Sequence, residues 1–159
     1  MKYLIIIISI FTLFFTNDLD WFRKNFQTAH TNKEQALVFY QNTNKMTNSD
    51  PVFLAYKEAG KMTQSKFEKN RQLKKDLFKE GALALNRLIE HNPNNIEVRF
   101  IRLTIQQNTP AILKYNQNIK ADKQFVWSNF KHTDSKIQKI IKEYVLSSNK
   151  FSEVEKKNL

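Results

Sequence analysis

NRQLKKDLFKEGALALNRLIEHNPNNIEVRFIRLTIQQ, residues 70–107, is the stretch that decides the fold class. Leu73, Leu77, Gly81, Ala84, Leu85 and Leu88 recur at three- and four-residue steps, which gathers them on one face of a helix over residues 70–91. Asn92-Pro93-Asn94-Asn95 stops that helix and caps the next. Residues 96–107 then carry Val98, Phe100, Ile101, Leu103 and Ile105 on more than one side, as a centrally placed helix does. Gly81 costs about 1 kcal/mol against alanine in a helix interior, so its use is a close approach to a neighbouring helix.

The same reading extends in both directions. Thr31-Asn32-Lys33-Glu34 has the form of a capping box, opening a helix with Ala36, Phe39 and Tyr40 on one face that ends near Met46. Asp50 followed by Pro51 is an N-cap with proline at the first helical position, starting a largely buried helix to about Lys61. Asn108-Thr109-Pro110 repeats the device before a short helix through Ala111, Ile112, Leu113 and Tyr115. A helix over residues 119–130 carries Phe125, Trp127 and Phe130, and Asp134 caps one striped by Ile137, Ile140, Ile141, Tyr144 and Val145. Ser152-Glu153-Val154-Glu155 starts a terminal turn, and Trp21, Phe22 and Phe26 mark a short first helix. No alternating stretch of strand length occurs, and two glycines and three prolines leave little for hairpin turns. The expected fold is therefore all-α: an array or bundle of about six to eight short helices forming one domain over residues 17–159.

Ahead of that domain stands Lys2, an unbroken apolar or hydroxyl run over residues 3–16, and then Asn17-Asp18-Leu19-Asp20. This is the order of a secretory signal. As a helix the run reaches about 21 Å against the roughly 30 Å of a bilayer's hydrocarbon, which favours a cleaved signal over a spanning anchor. Leu13, Phe14 and Phe15 occupy the place of small cleavage-site residues, so a retained anchor and a buried helix stay open. Export puts the domain in the periplasm or outside the cell; retention tethers it to the inner membrane through residues 3–16.

The chain carries a net charge of +11, and loss of residues 1–16 removes one lysine and no acid. Such a charge favours anionic partners: nucleic acid, lipid head groups or an acidic protein. Export argues against nucleic acid and leaves a protein or an anionic envelope surface. With no cysteine, disulfides, thiolate nucleophiles and Cys-ligated zinc are excluded.

Gly81, Leu85 and Pro93, followed by Asn95-Ile96-Glu97 and a second apolar helix, resemble the second helix and closing turn of a tetratricopeptide repeat. The resemblance covers residues 70–107, roughly a quarter of the chain, and implies helical hairpins and a protein-binding role. The whole chain also resembles the small, uncharacterised exported helical proteins of AT-rich bacteria, a likeness that carries no activity with it.

Catalytic signals are sparse. His30, His91 and His132 stand at no metal-binding spacing, and no glycine-rich phosphate loop or nucleophile turn occurs. Asp76 and Glu80 share a helix face but sit among Lys74, Lys75 and Lys79, as on a solvated surface. The strongest local charge lies between Lys61 and Lys79, with Lys74 and Lys75 at its centre. Arg99 and Arg102, in an otherwise buried helix, either line a groove for an acidic ligand or pair with Glu97, Glu90 or Asp122. Trp127 is an aromatic anchor for a partner or a core residue. The expected function is a non-catalytic binding protein without a cofactor, its candidate contacts being Arg99, Arg102, Lys74, Lys75 and Trp127. The alternatives are a small helical hydrolase whose site assembles only in three dimensions, and an inhibitor of another protein.

Overall fold

The computed structural model describes residues 19–159. Expectations about a signal or anchor in residues 1–16 lie outside the described residues. Among these there are eight α-helices and no strand: α1 Leu19–Ala29, α2 Lys33–Asn44, α3 Pro51–Phe67, α4 Arg71–His91, α5 Ile96–Asn108, α6 Ile119–Asn129, α7 Ser135–Ser147 and α8 Glu153–Lys157. None is long and apolar enough to cross a membrane.

Local chemistry sets most boundaries. The side chains of Asp50, Asn70, Asn95 and Asp134 accept from the first-turn N–H groups of Val52, Leu73, Val98 and Lys136 at 2.8–3.0 Å. Ser152 and Glu155 form a reciprocal capping box at α8. At α2 the expected Thr31 cap is displaced by one residue. Thr31 Oγ1 donates back to the Thr28 carbonyl at 2.8 Å, closing the turn after α1, and Asn32 caps α2 instead by accepting from Gln35 N. α3 runs six residues beyond the expected end, to Phe67. Its polar tail reads as a loop, yet Thr63 and Ser65 are buried and donate their hydroxyls to the Ala59 and Met62 carbonyls of the same helix. The expected helix after Pro110 is only a 3-10 turn, Ala111–Leu113, because Lys114 enters the left-handed region at φ 50° and ends it.

Two buried clusters form the interior. Phe22, Phe26, Phe39 and Tyr56 interlock as rings with Leu85 and Ile101 in the first, joining α1 to α5. Phe100, Leu103, Val126, Ile141, Val145 and Phe151 make the second, between α5, α6, α7 and the chain end. α5 thus walls both, which is why its apolar residues surround it. Each fully buried aliphatic side chain contributes about 1.5–3 kcal/mol.

Both glycines are contact points on α3. A Cβ on Gly60 would strike Thr43 Oγ1 of α2, and one on Gly81 of α4 would stand 2.6 Å from Met62 Cγ and 2.8 Å from the Glu58 carbonyl oxygen. Met62 can swing away, but the backbone oxygen cannot. Gly81→Val is accordingly expected to lower unfolding stability by about 2–3 kcal/mol, read as a lower urea midpoint at unchanged slope.

Two ionic centres tie the helices together. Glu97, at the head of α5, accepts two hydrogen bonds from the Arg23 guanidinium of α1 at 2.8 and 2.7 Å and one from the Tyr56 hydroxyl of α3 at 2.8 Å. Burial, with the Glu97 charge beside it, pushes the Tyr56 phenol well above its ordinary range. The second centre is Asp122 of α6, fully buried, which accepts from Arg102 at 2.7 and 2.8 Å and from Arg99 at 2.9 Å. Arg102 also reaches Asn86 of α4, as does the Tyr115 hydroxyl, each at 3.2 Å.

Candidate functional site

The ends of α1, α3 and α5 meet the first half of α4 around a pocket of about 520 Å³. That volume lies in the range of small-molecule sites. Its floor is apolar: Phe26 and Met62 from the first cluster, with Phe78 and Ile105 beside them. The hydroxyls in its wall add little polarity, since Thr63, Ser65, Thr104 and Thr109 all donate to carbonyls of their own helices. Leu113, Pro110 and Thr109 close one side, so the 3-10 turn after α5 serves as a lip.

The rim is cationic. Lys66, Arg71, Lys74, Lys75 and Lys79 all line it, and no carboxylate does. Lys66 donates to the His30 carbonyl at 3.0 Å and Lys74 to the Lys66 and Glu68 carbonyls at 3.3 and 3.4 Å, contacts that hold the ammonium groups without neutralising them. Arg71, Lys75 and Lys79 have no ion-pair partner among the described residues. Arg71, Lys74 and Lys75 stand in the opening turn and a half of α4, which holds no acid in its first turn. A helix start already carries partial positive charge, so this placement costs stability where an acid would add to it. The dipole and the side chains together make the lining cationic, and a bound anion relieves both. The Glu68 carboxylate, which accepts from Asn70 N–H at 2.9 Å, lies at the same helix start but outside the lining.

His30 borders the same pocket, its imidazole pKa lowered from the ordinary 6.5 by burial first and by the Lys66 charge second. The native protein therefore resists a proton that the unfolded chain accepts near the ordinary value. Stability is expected to fall as pH drops through that value, and His30→Gln is expected to flatten the loss. Urea midpoints at neutral and mildly acidic pH measure it. Asp20 and Glu155, held low by Lys136 and Lys123 respectively, act in a separate window: their contribution is lost only as pH falls below 3.8 and 4.5.

The residues singled out in the sequence separate into three places. Lys74 and Lys75 are on the rim. Arg99 and Arg102 are not; they are spent on Asp122, with Arg99 also bonded to the Pro93 carbonyl at 2.6 Å and packed over the Phe125 ring at 4.4 Å. Neither faces the pocket as a groove for an acidic ligand, because a buried carboxylate already fills that role. Trp127 lies in the second cluster, half-buried and stacked on Phe151 with ring centroids 5.3 Å apart. Phe26, His30 and the 3-10 turn were not foreseen as site residues. Only the turn carries a local signal, Ala111-Ile112-Leu113 between Pro110 and Lys114; nothing local marks Phe26 or His30.

Among the described residues no group of three His, Asp or Glu side chains is placed to share a metal ion. No protein-family model, curated protein or solved structure matches this chain.

Proposed function

We propose that the protein acts by binding, without catalysis, and that its ligand carries an apolar body for the pocket floor and a carboxylate or phosphate for the rim. The observation that carries this reading is the lining itself: five cationic side chains and no carboxylate around an apolar floor. Burying the apolar part supplies most of the affinity, at about 25 cal/mol per Å². The exposed cations add attraction that salt weakens, and they select for charge. The order of Lys2 and the apolar run over residues 3–16 supports placing this activity outside the cytoplasm, with the chain exported or tethered.

The test is a calorimetric titration with a single-chain fatty acid and with the alcohol of the same chain length. The acid is expected to bind at least about tenfold more tightly at low salt, the preference shrinking as salt rises. Equal affinity for acid and alcohol, or no binding of either, would overturn the assignment. Binding of an acidic peptide in place of both would move the reading to a protein partner.

A further inference from the structure

The turn that closes one side of the pocket through Leu113 also carries a side chain turned away from it, into water. Ile112 is 86 % exposed, more than any other large hydrophobic residue among those described, and its neighbour Leu113 is 48 % exposed while lining the pocket. The turn that carries them is pinned at both ends. On one side Thr109 N–H donates to the Gln106 carbonyl and Asn108 Nδ2 to the Thr104 carbonyl and the Tyr144 hydroxyl. On the other, Tyr115 is buried with its ring edge-on to Phe78, at 5.8 Å between centroids. The Leu113 and Lys114 N–H groups close the turn on the Pro110 and Ala111 carbonyls at 3.0 Å, and Lys114 accepts a left-handed φ of 50° to do so. A non-glycine residue adopts that conformation at a cost, and here the result is an isoleucine held outward on a rigid support.

A single exposed isoleucine is ordinary; its surroundings are not. The same mouth holds Lys66, Arg71, Lys74, Lys75 and Lys79, with Lys114 following the turn in sequence. Leu113 shares the lining with those cations and Ile112 is its chain neighbour, so an apolar tip stands on a turn beside a cationic rim. That pairing is complementary to one kind of surface, an anionic bilayer, which offers hydrocarbon behind a layer of negative head groups. We propose that the Ala111–Leu113 turn and this rim dock on an anionic membrane, Ile112 entering the interface, so that the pocket mouth opens against lipid. This rests on the reading of the pocket as a site for an anionic amphiphile, whose source would then be the bilayer itself. Each rim cation near such a surface raises partitioning by about fivefold, so charge supplies most of the attraction and Ile112 fixes the orientation.

The absence of cysteine allows a direct test on the full-length chain. Because residues 3–16 are themselves apolar, sedimentation with lipid says nothing about the turn, and a local probe is needed. Ile112→Cys labelled with nitrobenzoxadiazole is compared with the same label on Val154→Cys, a position 68 % exposed on α8 that lines no part of the pocket. With vesicles containing phosphatidylglycerol, the label at 112 is expected to brighten and shift to the blue, and to stay unchanged with phosphatidylcholine alone. The label at 154 is expected to stay unchanged with both. Silence at 112, an equal response at both positions, or a response at 112 to an acidic peptide with vesicles silent would each overturn the proposal.

A second variant separates the two readings. Ile112→Ser, which alters no charge at a side chain outside the pocket lining, is expected to abolish the response of a label placed at Ala111→Cys, also outside that lining, while leaving fatty-acid affinity in vesicle-free solution unchanged. A fatty acid that binds while the turn ignores vesicles would sink the docking and leave the pocket. A turn that responds to vesicles while no amphiphile binds would do the reverse.

Discussion

Asp122→Ala is expected to lower unfolding stability by about 3–5 kcal/mol, the loss that follows when one partner of a buried ion pair is removed. The carboxylate has no exposure to solvent and accepts three hydrogen bonds from two arginines. Removing it strands Arg102, itself only 5 % exposed, as a charge with the amide oxygen of Asn86 for company. Arg99 suffers less, since its guanidinium keeps the Pro93 carbonyl and reaches water. For a domain of this size the loss corresponds to roughly 10 °C or more in melting temperature. Scanning calorimetry on the variant beside Arg99→Ala checks it, the latter expected to lose about 1 kcal/mol. Replacing both members of the inner pair, Asp122→Leu with Arg102→Met, is expected to recover much of the loss, because an apolar pair leaves no charge stranded.

The second large effect concerns binding, and it carries a sign that separates function from folding. Arg71→Glu with Lys75→Glu reverses two rim charges that have no ion-pair partner among the described residues. Taking about 0.5 kcal/mol for each unit of exposed charge altered, affinity for an anionic amphiphile is expected to fall about 30-fold at low salt. Stability is expected to move the other way. Arg71 occupies the first position of α4, where a carboxylate interacts with the helix dipole and a cation opposes it, so the swap adds about 0.3–1 kcal/mol. Paired titration and urea denaturation on one protein sample read both. Weaker binding together with lower stability would mean that the rim cations hold the fold, contrary to the reading of them as ligand contacts.

What the sequence disclosed follows the range of the interactions involved. Asp50 with Pro51, Asn95, Asp134 and the Ser152–Glu155 box act within one turn, and each appears where its residue types announce it. Gly81 was legible for a similar reason: a residue that costs helix stability must be there for proximity. Thr31 misled because two neighbours could both cap, and the choice fell to a hydroxyl bond with the preceding helix. The tail of α3 misled because Thr63, Gln64 and Ser65 look like a loop until another helix covers them. Arg99 and Arg102 had three candidate carboxylates, and only the packing of α6 on α5 selects Asp122, while Glu97 goes to Arg23 across the fold. The pocket draws on four separate segments. Its rim was visible as a run of lysines, but its floor was not, because no local pattern says that Phe26 and Ile105 end at one place.

The position of α5 as a wall shared by both clusters bears on how the molecule breathes. Val98 and Ile101 face one interior and Phe100 and Leu103 the other, all 4 % exposed or less. Opening either side leaves the helix clamped by the opposite one, so its backbone can meet solvent only when both have come apart. The amides of residues 100–103 are expected to exchange with deuterium at the rate of complete unfolding, while those of α8 exchange through small local openings.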